Sequence, residues 1–122
     1  MRYFILLCSF VIFSCSTKPK DCSSFKTGTF EYSNSDYAGW VVVRNDSIQI
    51  ESNKKENIKL IGSIKWSSDC QYIITYKEAV NFSEENIIGR KIIVNISKTF
   101  DDSYECKIES ETGNMLLKMN KL

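Results

Sequence analysis

Apolar and polar residues alternate along most of this chain, and the alternation predicts β-strands. Residues 57–66 show it best, because Ile58, Leu60 and Ile64 lie on one face while polar residues such as Lys59 lie between them. A period of two places successive side chains on opposite faces of a strand. One face is therefore predicted to be buried and the other largely wet.

Polar turn residues divide the alternating segments into eight short predicted strands. These strands cover residues 25–32, 40–44, 47–51, 57–66, 70–77, 90–96, 104–109 and 115–119. Short connections favour antiparallel neighbours in chain order, that is, an up-and-down meander. Such a meander either closes into a barrel or packs as two sheets, and closure removes the exposed edges that invite aggregation. The predicted fold is all-β, a small barrel, closed or half-open, formed by residues 22–122.

The first 14 residues are predicted to be a signal peptide rather than part of this barrel. Arg2 supplies a positive charge, and residues 3–13 are mostly apolar. An apolar run of this length is typical of a signal peptide and is too short to span a bilayer, which takes about 20 residues. A buried first strand or helix is the alternative. Residues 16–21 contain the only proline and no apolar side chain, so residues 15–21 are expected to form a tether.

The residues at the predicted cleavage site, Ile12-Phe13-Ser14-Cys15, resemble the lipobox of bacterial lipoproteins. The resemblance implies cleavage after Ser14 and thioether lipidation of Cys15. It places the protein in the cell envelope, anchored through its lipid. By analogy, the absence of an acidic run after Cys15 implies the outer membrane, facing the periplasm. Ordinary secretion, with Cys15 as a spare thiol, is the alternative.

Three cysteines, Cys22, Cys70 and Cys106, remain in the domain, in a compartment that permits disulfides. In an up-and-down barrel the first and fifth strands run in the same direction, so Cys22 and Cys70 both lie near the end at which the first strand begins. Cys106 is expected in mid-strand, facing the core. The sequence therefore predicts a Cys22–Cys70 disulfide and a buried Cys106 thiol. Three reduced cysteines are the alternative.

Charge and composition exclude several function classes. Removal of Arg2 with the signal peptide reduces the basic side chains from 16 to 15, equal to the 15 acidic ones. A formally neutral chain does not resemble a nucleic-acid-binding protein. The sequence contains no histidine, which removes the catalytic triads and zinc sites that depend on it. The cysteines lack metal-ligand spacing and the five single glycines form no phosphate loop, so no metal or cofactor is expected.

Paired carboxylates are the one catalytic arrangement left open. Three pairs lie close together in the sequence: Glu84-Glu85, Asp101-Asp102, and Glu109 with Glu111. A glycosidase-type mechanism needs two such groups about 5–9 Å apart in one cleft. Acidic residues in loops and at strand ends more commonly keep a protein soluble. The protein is therefore predicted not to be an enzyme, and no catalytic residue is assigned.

Aromatic residues on the predicted inner faces either line a ligand cavity or fill the barrel. They are Phe30, Tyr32, Trp66, Tyr72, Tyr76 and Tyr104. Because the domain is small and its strands are short, a filled interior is expected. The longest connections lie at the upper end of the barrel, opposite the start of the first strand, and binding residues concentrate on such loops. The residues predicted to form a ligand or partner surface there are Tyr37, Trp40, Phe82 and Arg90.

Residues 22–30 and 66–72 carry the patterns C-x-x-F-K-x-G-x-F and W-x-x-x-C-x-Y. These patterns resemble those of small Bacteroidota lipoproteins of unassigned function. Gly28-Thr29-Phe30 also resembles the lipocalin G-x-W, with phenylalanine in place of tryptophan. The resemblance implies a lipocalin-like architecture for the barrel.

These observations predict a membrane-anchored lipoprotein that acts as a binding or envelope-associated module. Its expected partners are the membrane, through the lipid, and either a small apolar ligand or an envelope protein. An inhibitor of lysozyme or another envelope hydrolase is the first alternative, because small β-barrel lipoproteins also do that job. A carboxylate-based hydrolase is the second.

Overall fold

The structure of this chain, a computed structural model, describes residues 21–83 and 86–122. The predicted signal peptide, the lipidation site Cys15 and the pair Glu84-Glu85 lie outside the described residues. None of the helical turns in residues 21–83 and 86–122 has the length and apolar character that a membrane-spanning helix needs.

Eight antiparallel strands form a closed barrel, which confirms the predicted meander and rules out the half-open and two-sheet forms. The strands are β1 (Gly28–Tyr32), β2 (Trp40–Arg44), β3 (Ile48–Asn53), β4 (Ile58–Ser68), β5 (Gln71–Val80), β6 (Lys91–Thr99), β7 (Ser103–Ser110) and β8 (Gly113–Lys121). Each strand pairs with its neighbours in chain order, and β8 pairs with β1 to close the sheet.

The two ends of the barrel differ in their connections. The lower end, where β1 begins, carries the tight turns after β2, β4 and β6. The upper end carries the connections after β1, β3, β5 and β7, including residues 33–39, with a 3-10 turn at Ser35–Tyr37, and the longer segment 81–90. The longest connections therefore lie at the end where the sequence predicts them.

The residues before β1 close the lower end. The alternation predicts a first strand from Phe25, but β1 begins at Gly28 because Ser23–Phe25 forms a turn of 3-10 helix. The Phe25 amide donates a hydrogen bond to the Cys22 carbonyl oxygen at 3.1 Å. The turn buries the Phe25 ring against Tyr104, with the ring centroids 5.2 Å apart.

A glycine allows β4 and β5 to approach closely in the middle of the sheet. A Cβ atom at Gly62 would lie 2.7 Å from Ile74 Cγ2 and 3.2 Å from the Thr75 carbonyl oxygen. The pairing register of the two strands shifts between Ile61 and Gly62. Gly62 is thus an inward-facing position that contributes no side chain to the interior.

A disulfide joins Cys22 to Cys70, as the topology predicts, and Cys106 is a buried free thiol. The bridge ties the residues before β1 to the turn between β4 and β5. Lys26 and Asp69 form an exposed ion pair beside it, with the Lys26 Nζ 3.7 Å from the Asp69 carboxylate. The alternative of three reduced cysteines does not hold.

Removal of the bridge should cost most of the stability of a domain this small. The Cys22→Ser/Cys70→Ser variant is expected to lose about 4 kcal/mol of unfolding free energy in the chain-entropy account, because the bond closes a loop with a sequence separation of 48. Urea unfolding without reductant measures the difference. Wild type treated with reductant is the control and should match the variant; equal stability of the variant and the oxidised wild type would contradict the expectation.

Candidate functional site

The barrel contains a cavity of about 460 Å³. Tyr37, Phe82 and Met115 line it at the upper end, and Arg44 lines it near the lower end. The cavity therefore opens between the upper connections and has its floor inside the barrel. A space of this size is within the range of small-molecule sites.

The expected filled interior is wrong, because only the lower part of the barrel is closely packed with aromatic rings. Phe25 and Phe30 both pack on Tyr104, with centroid distances of 5.2 and 5.9 Å. Trp66 packs on Tyr72 at 4.7 Å. Above these contacts, aliphatic and aromatic side chains together surround open space. The aliphatic side chains that line the cavity include Ile74, Ile92, Val94, Ile108 and Leu117.

The hairpin of β2 and β3 turns polar side chains inward, an arrangement that the sequence analysis missed. The buried polar residues of the barrel are Arg44, Gln49, Glu51 and Asn53. On the outer face of the same hairpin, Val43 is 44% exposed and Ile48 is 41% exposed. Several apolar side chains therefore face outward in this hairpin and polar ones face inward, whereas in β4 the apolar side chains face inward.

Strand register is the reason for this reversal. Phe30 is fully buried and lies opposite Val42, so Val42 and, two residues later, Arg44 also face inward. Gln49 lies opposite Arg44 in the next pair of strands and shares its face. The pairing of Arg44 with Gln49 across the tight Asn45 turn puts the even-numbered residues of β2 and the odd-numbered residues of β3 on one face. This register is the signal that would have found the polar residues, whereas grouping residues by hydrophobicity would not.

The Arg44 guanidinium is held by four hydrogen bonds. Its Nη1 donates to the Phe25 carbonyl oxygen at 2.8 Å, and its Nε donates to Gln49 Oε1 at 2.9 Å. Its Nη2 donates to the hydroxyls of Tyr72 at 2.8 Å and Tyr104 at 3.0 Å. These two hydroxyls are 3.1 Å apart and share a further hydrogen bond. One side chain thus joins β2 to the 3-10 turn before β1 and to strands β3, β5 and β7.

Aromatic rings and phenolic oxygens compensate the charge of Arg44, since none of the described carboxylates forms a direct ion pair with it. The guanidinium carbon lies 4.6 Å from the ring centroids of both Phe30 and Tyr72. Burial lowers the pKa of Arg44, but the phenols of Tyr72 and Tyr104 outweigh this effect and leave the pKa raised. The group therefore stays charged.

Gln49 links the hydrogen bonds of Arg44 to a second polar cluster around Glu51. Gln49 accepts from Arg44 and donates its Nε2–H to Glu51 Oε1 at 2.8 Å. The Tyr76 hydroxyl donates to both oxygens of Glu51, each at 3.1 Å. The buried Glu51 carboxyl group and the buried Arg44 guanidinium are thus connected by an amide that hydrogen-bonds to both.

Burial raises the pKa values of the acidic groups around the cavity. The pKa of Glu51 is raised by burial, although the hydrogen bonds from Tyr76 and Gln49 and the charge of Arg44 oppose the shift. Burial also raises the pKa of the Tyr32 and Tyr76 phenols, and the nearby Glu51 carboxylate adds to both shifts. Burial raises the pKa of the Cys106 thiol to about 11. The phenols and the thiol therefore remain protonated at neutral pH.

Two of the four residues predicted for a ligand or partner surface line the cavity. Tyr37 does so from the connection after β1, where its hydroxyl donates to the Met115 sulfur at 3.5 Å, and Phe82 does so from the connection after β5. Trp40 and Arg90 belong to the same end of the barrel but are not among the residues that line the cavity.

The predicted inner aromatic residues are in the interior. Tyr32, Tyr72, Tyr76 and Tyr104 line the cavity. Phe30 is fully buried, and Trp66 is partly buried with an indole N–H that finds no hydrogen-bond partner among residues 21–83 and 86–122.

The described residues bring no pair of carboxylates to the cavity. Glu51 is the single carboxylate among its lining residues. Asp101 and Asp102 lie in the exposed turn after β6, and Glu109 pairs with Lys107 at 3.6 Å. Within residues 21–83 and 86–122, no group of three or more His, Cys, Asp or Glu side chains is arranged to hold a metal ion.

No protein-family model, curated protein or solved structure matches this chain.

The raised pKa of Glu51 predicts how stability depends on pH. The folded state binds the Glu51 proton more tightly than the unfolded state, so the contribution of Glu51 to stability is fully present below the ordinary pKa of 4.5 and falls as pH rises through the raised value. Urea unfolding from pH 4 to 8 should show wild type losing stability relative to Glu51→Gln over this window. The exposed Glu78→Gln variant is the control and should track wild type. A wild type that gains stability relative to Glu51→Gln as pH rises would contradict the assignment.

Proposed function

We propose that this protein binds a small, mostly apolar molecule in its barrel cavity and acts as a non-catalytic binding module of the cell envelope. The observation that carries the proposal is the cavity of about 460 Å³, which opens at one end and is lined mainly by aromatic and aliphatic side chains. Small-molecule sites are typically concave, mostly apolar and about 300–1,000 Å³ in volume, with a few well-placed polar groups.

The ionisable groups of the cavity support binding rather than catalysis. Cys106 has a pKa of about 11 and is not a ready nucleophile. Glu51 already accepts hydrogen bonds from Gln49 and Tyr76, and no second carboxylate is among the lining residues that belong to the described segments. These groups are suited to orienting a ligand.

Location in the envelope rests on the N-terminal sequence together with the disulfide. The Ile12-Phe13-Ser14-Cys15 lipobox pattern and the apolar residues before it support export and lipidation of Cys15. A structural disulfide such as Cys22–Cys70 is stable in an oxidising compartment and rare in the cytoplasm. We propose a lipid anchor in the outer membrane, with the barrel in the periplasm on a short tether and a lipocalin-like mode of ligand binding.

Titration with N-phenyl-1-naphthylamine, a neutral dye whose emission rises in apolar surroundings, tests the binding function. The dye should bind wild type saturably. An Ile108→Trp variant should bind at least about tenfold more weakly, because Ile108 lines the cavity and a larger side chain there would occupy it.

The matched control is Ile48→Trp, which makes the same change on the outer face, where Ile48 is 41% exposed. This variant should bind the dye like wild type, and thermal unfolding of both variants shows that each is folded. No saturable binding to wild type, or equal loss in the two variants, would contradict a site inside the barrel.

A further inference from the structure

The ionisable side chains that line the cavity balance each other. Arg44 is the one basic residue and Glu51 the one acidic residue among the described lining residues. A charged ligand would add an unbalanced charge to an interior of low dielectric constant, where charge is costly to desolvate. A neutral ligand avoids this cost.

Arg44 has little capacity left for a ligand. An arginine has five N–H donors, and Arg44 makes four hydrogen bonds with protein oxygen atoms. The rings of Phe30 and Tyr72 cover the guanidinium, each with its centroid 4.6 Å from the guanidinium carbon. Arg44 therefore forms the floor of the cavity and is not available as an anchor for an anion.

Tyr32, by contrast, brings unused hydrogen-bonding capacity to the cavity. Its ring packs on Tyr37 with the centroids 5.2 Å apart, and its half-buried side chain lines the cavity. Within the described segments 21–83 and 86–122, the Tyr32 hydroxyl forms no hydrogen bond. A phenol can donate one hydrogen bond and accept another, so this hydroxyl can serve a ligand in both ways.

The Glu51 carboxylate supplies a complementary acceptor. Its Oε2 receives only the hydrogen that the Tyr76 hydroxyl shares with Oε1, at 3.1 Å to each oxygen. A carboxylate oxygen can accept two hydrogen bonds, so Oε2 retains capacity. Glu51 lies near enough to Tyr32 to contribute to the raised pKa of that phenol.

We infer that the ligand of this cavity is an uncharged, mostly apolar molecule with a hydroxyl group. The inference rests on the binding function proposed above. The ligand hydroxyl donates its hydrogen to Glu51 Oε2 and accepts one from the Tyr32 hydroxyl. The apolar body extends toward the upper opening, along Ile74, Ile108 and Phe82.

Five compounds with one naphthalene body separate these contacts, each measured by displacement of N-phenyl-1-naphthylamine from the full-length protein. They are 2-naphthylmethanol, its methyl ether, 2-ethylnaphthalene, 2-naphthylmethylammonium and 2-naphthoate. The alcohol can donate and accept a hydrogen bond, the ether can only accept one, and the hydrocarbon can do neither. The ammonium compound is positively charged and the naphthoate is negatively charged. The alcohol should bind about tenfold more tightly than the hydrocarbon, with the ether between them, and more tightly than either ion.

Two conservative variants should change this order differently. Tyr32→Phe removes the donor, so the alcohol and the ether should each weaken about fivefold relative to the hydrocarbon. Glu51→Gln replaces the charged acceptor with a neutral one, so the alcohol alone should weaken. Unchanged binding of 2-ethylnaphthalene is the internal control and shows that the cavity is intact in each variant.

The outcomes distinguish this inference from the binding function itself. Hydrocarbon binding equal to that of the alcohol in wild type would overturn the hydroxyl assignment and leave the apolar cavity. Tightest binding of the ammonium compound would make Glu51 a counter-ion, and tightest binding of the carboxylate would make Arg44 an anchor; either result overturns the neutral class. If neither the dye nor any of the five compounds binds, the proposed function fails as well.

Discussion

A charged guanidinium inside an all-β barrel must replace the water that it loses, and desolvation of one ion costs several kcal/mol even after relaxation. Arg44 makes this replacement without a neighbouring carboxylate, through a backbone carbonyl, an amide oxygen and two phenols. The donors and acceptors come from four separate parts of the barrel. Each must be in place for the others to be satisfied, so the network specifies how the lower end packs.

The same network determines what the upper part of the barrel can do. The Phe25, Phe30 and Tyr104 rings pack near Arg44 and close the lower part of the barrel beneath the cavity. Gln49 carries the polar chain from Arg44 to Glu51, which faces that space. The cavity thus has mostly apolar walls, with Arg44 at its floor and a few further polar groups on its walls, and this combination orients a small ligand.

Sequence patterns were sufficient for the fold because the alternation in β4 to β8 is regular and the connections are short. Strand order then placed Cys22 and Cys70 at one end, so that the disulfide followed from topology. The pattern failed at the β2–β3 hairpin, where Val43 and Ile48 face outward and Arg44 and Glu51 inward. Hydrophobicity could not reveal this reversal, because register across the tight turn, and not burial of apolar area, decides which face is inside.

The interior itself could not be predicted for a related reason. Whether six inward aromatic residues fill a barrel depends on the direction in which their rings lean, and that direction follows from Arg44 and from the 3-10 turn that inserts Phe25. Neither feature can be recognised from the alternation of apolar and polar residues along the chain. The upper-end location of Tyr37 and Phe82 was predictable from loop positions alone, whereas Tyr32 and Glu51 acquire their roles only from three-dimensional contacts.

Hydrogen exchange of the Arg44 Nε–H, followed by ¹⁵N NMR, shows whether the guanidinium is buried and hydrogen-bonded inside the barrel. Residues 15–122 contain two arginines, Arg44 and Arg90, so an Arg90→Lys variant of this segment identifies the Arg44 signal. We expect exchange at least about a hundredfold slower than in free arginine, because the group is buried and donates to Gln49 at 2.9 Å. Exchange as fast as that of an exposed arginine would contradict a buried Arg44 and the cavity floor built on it.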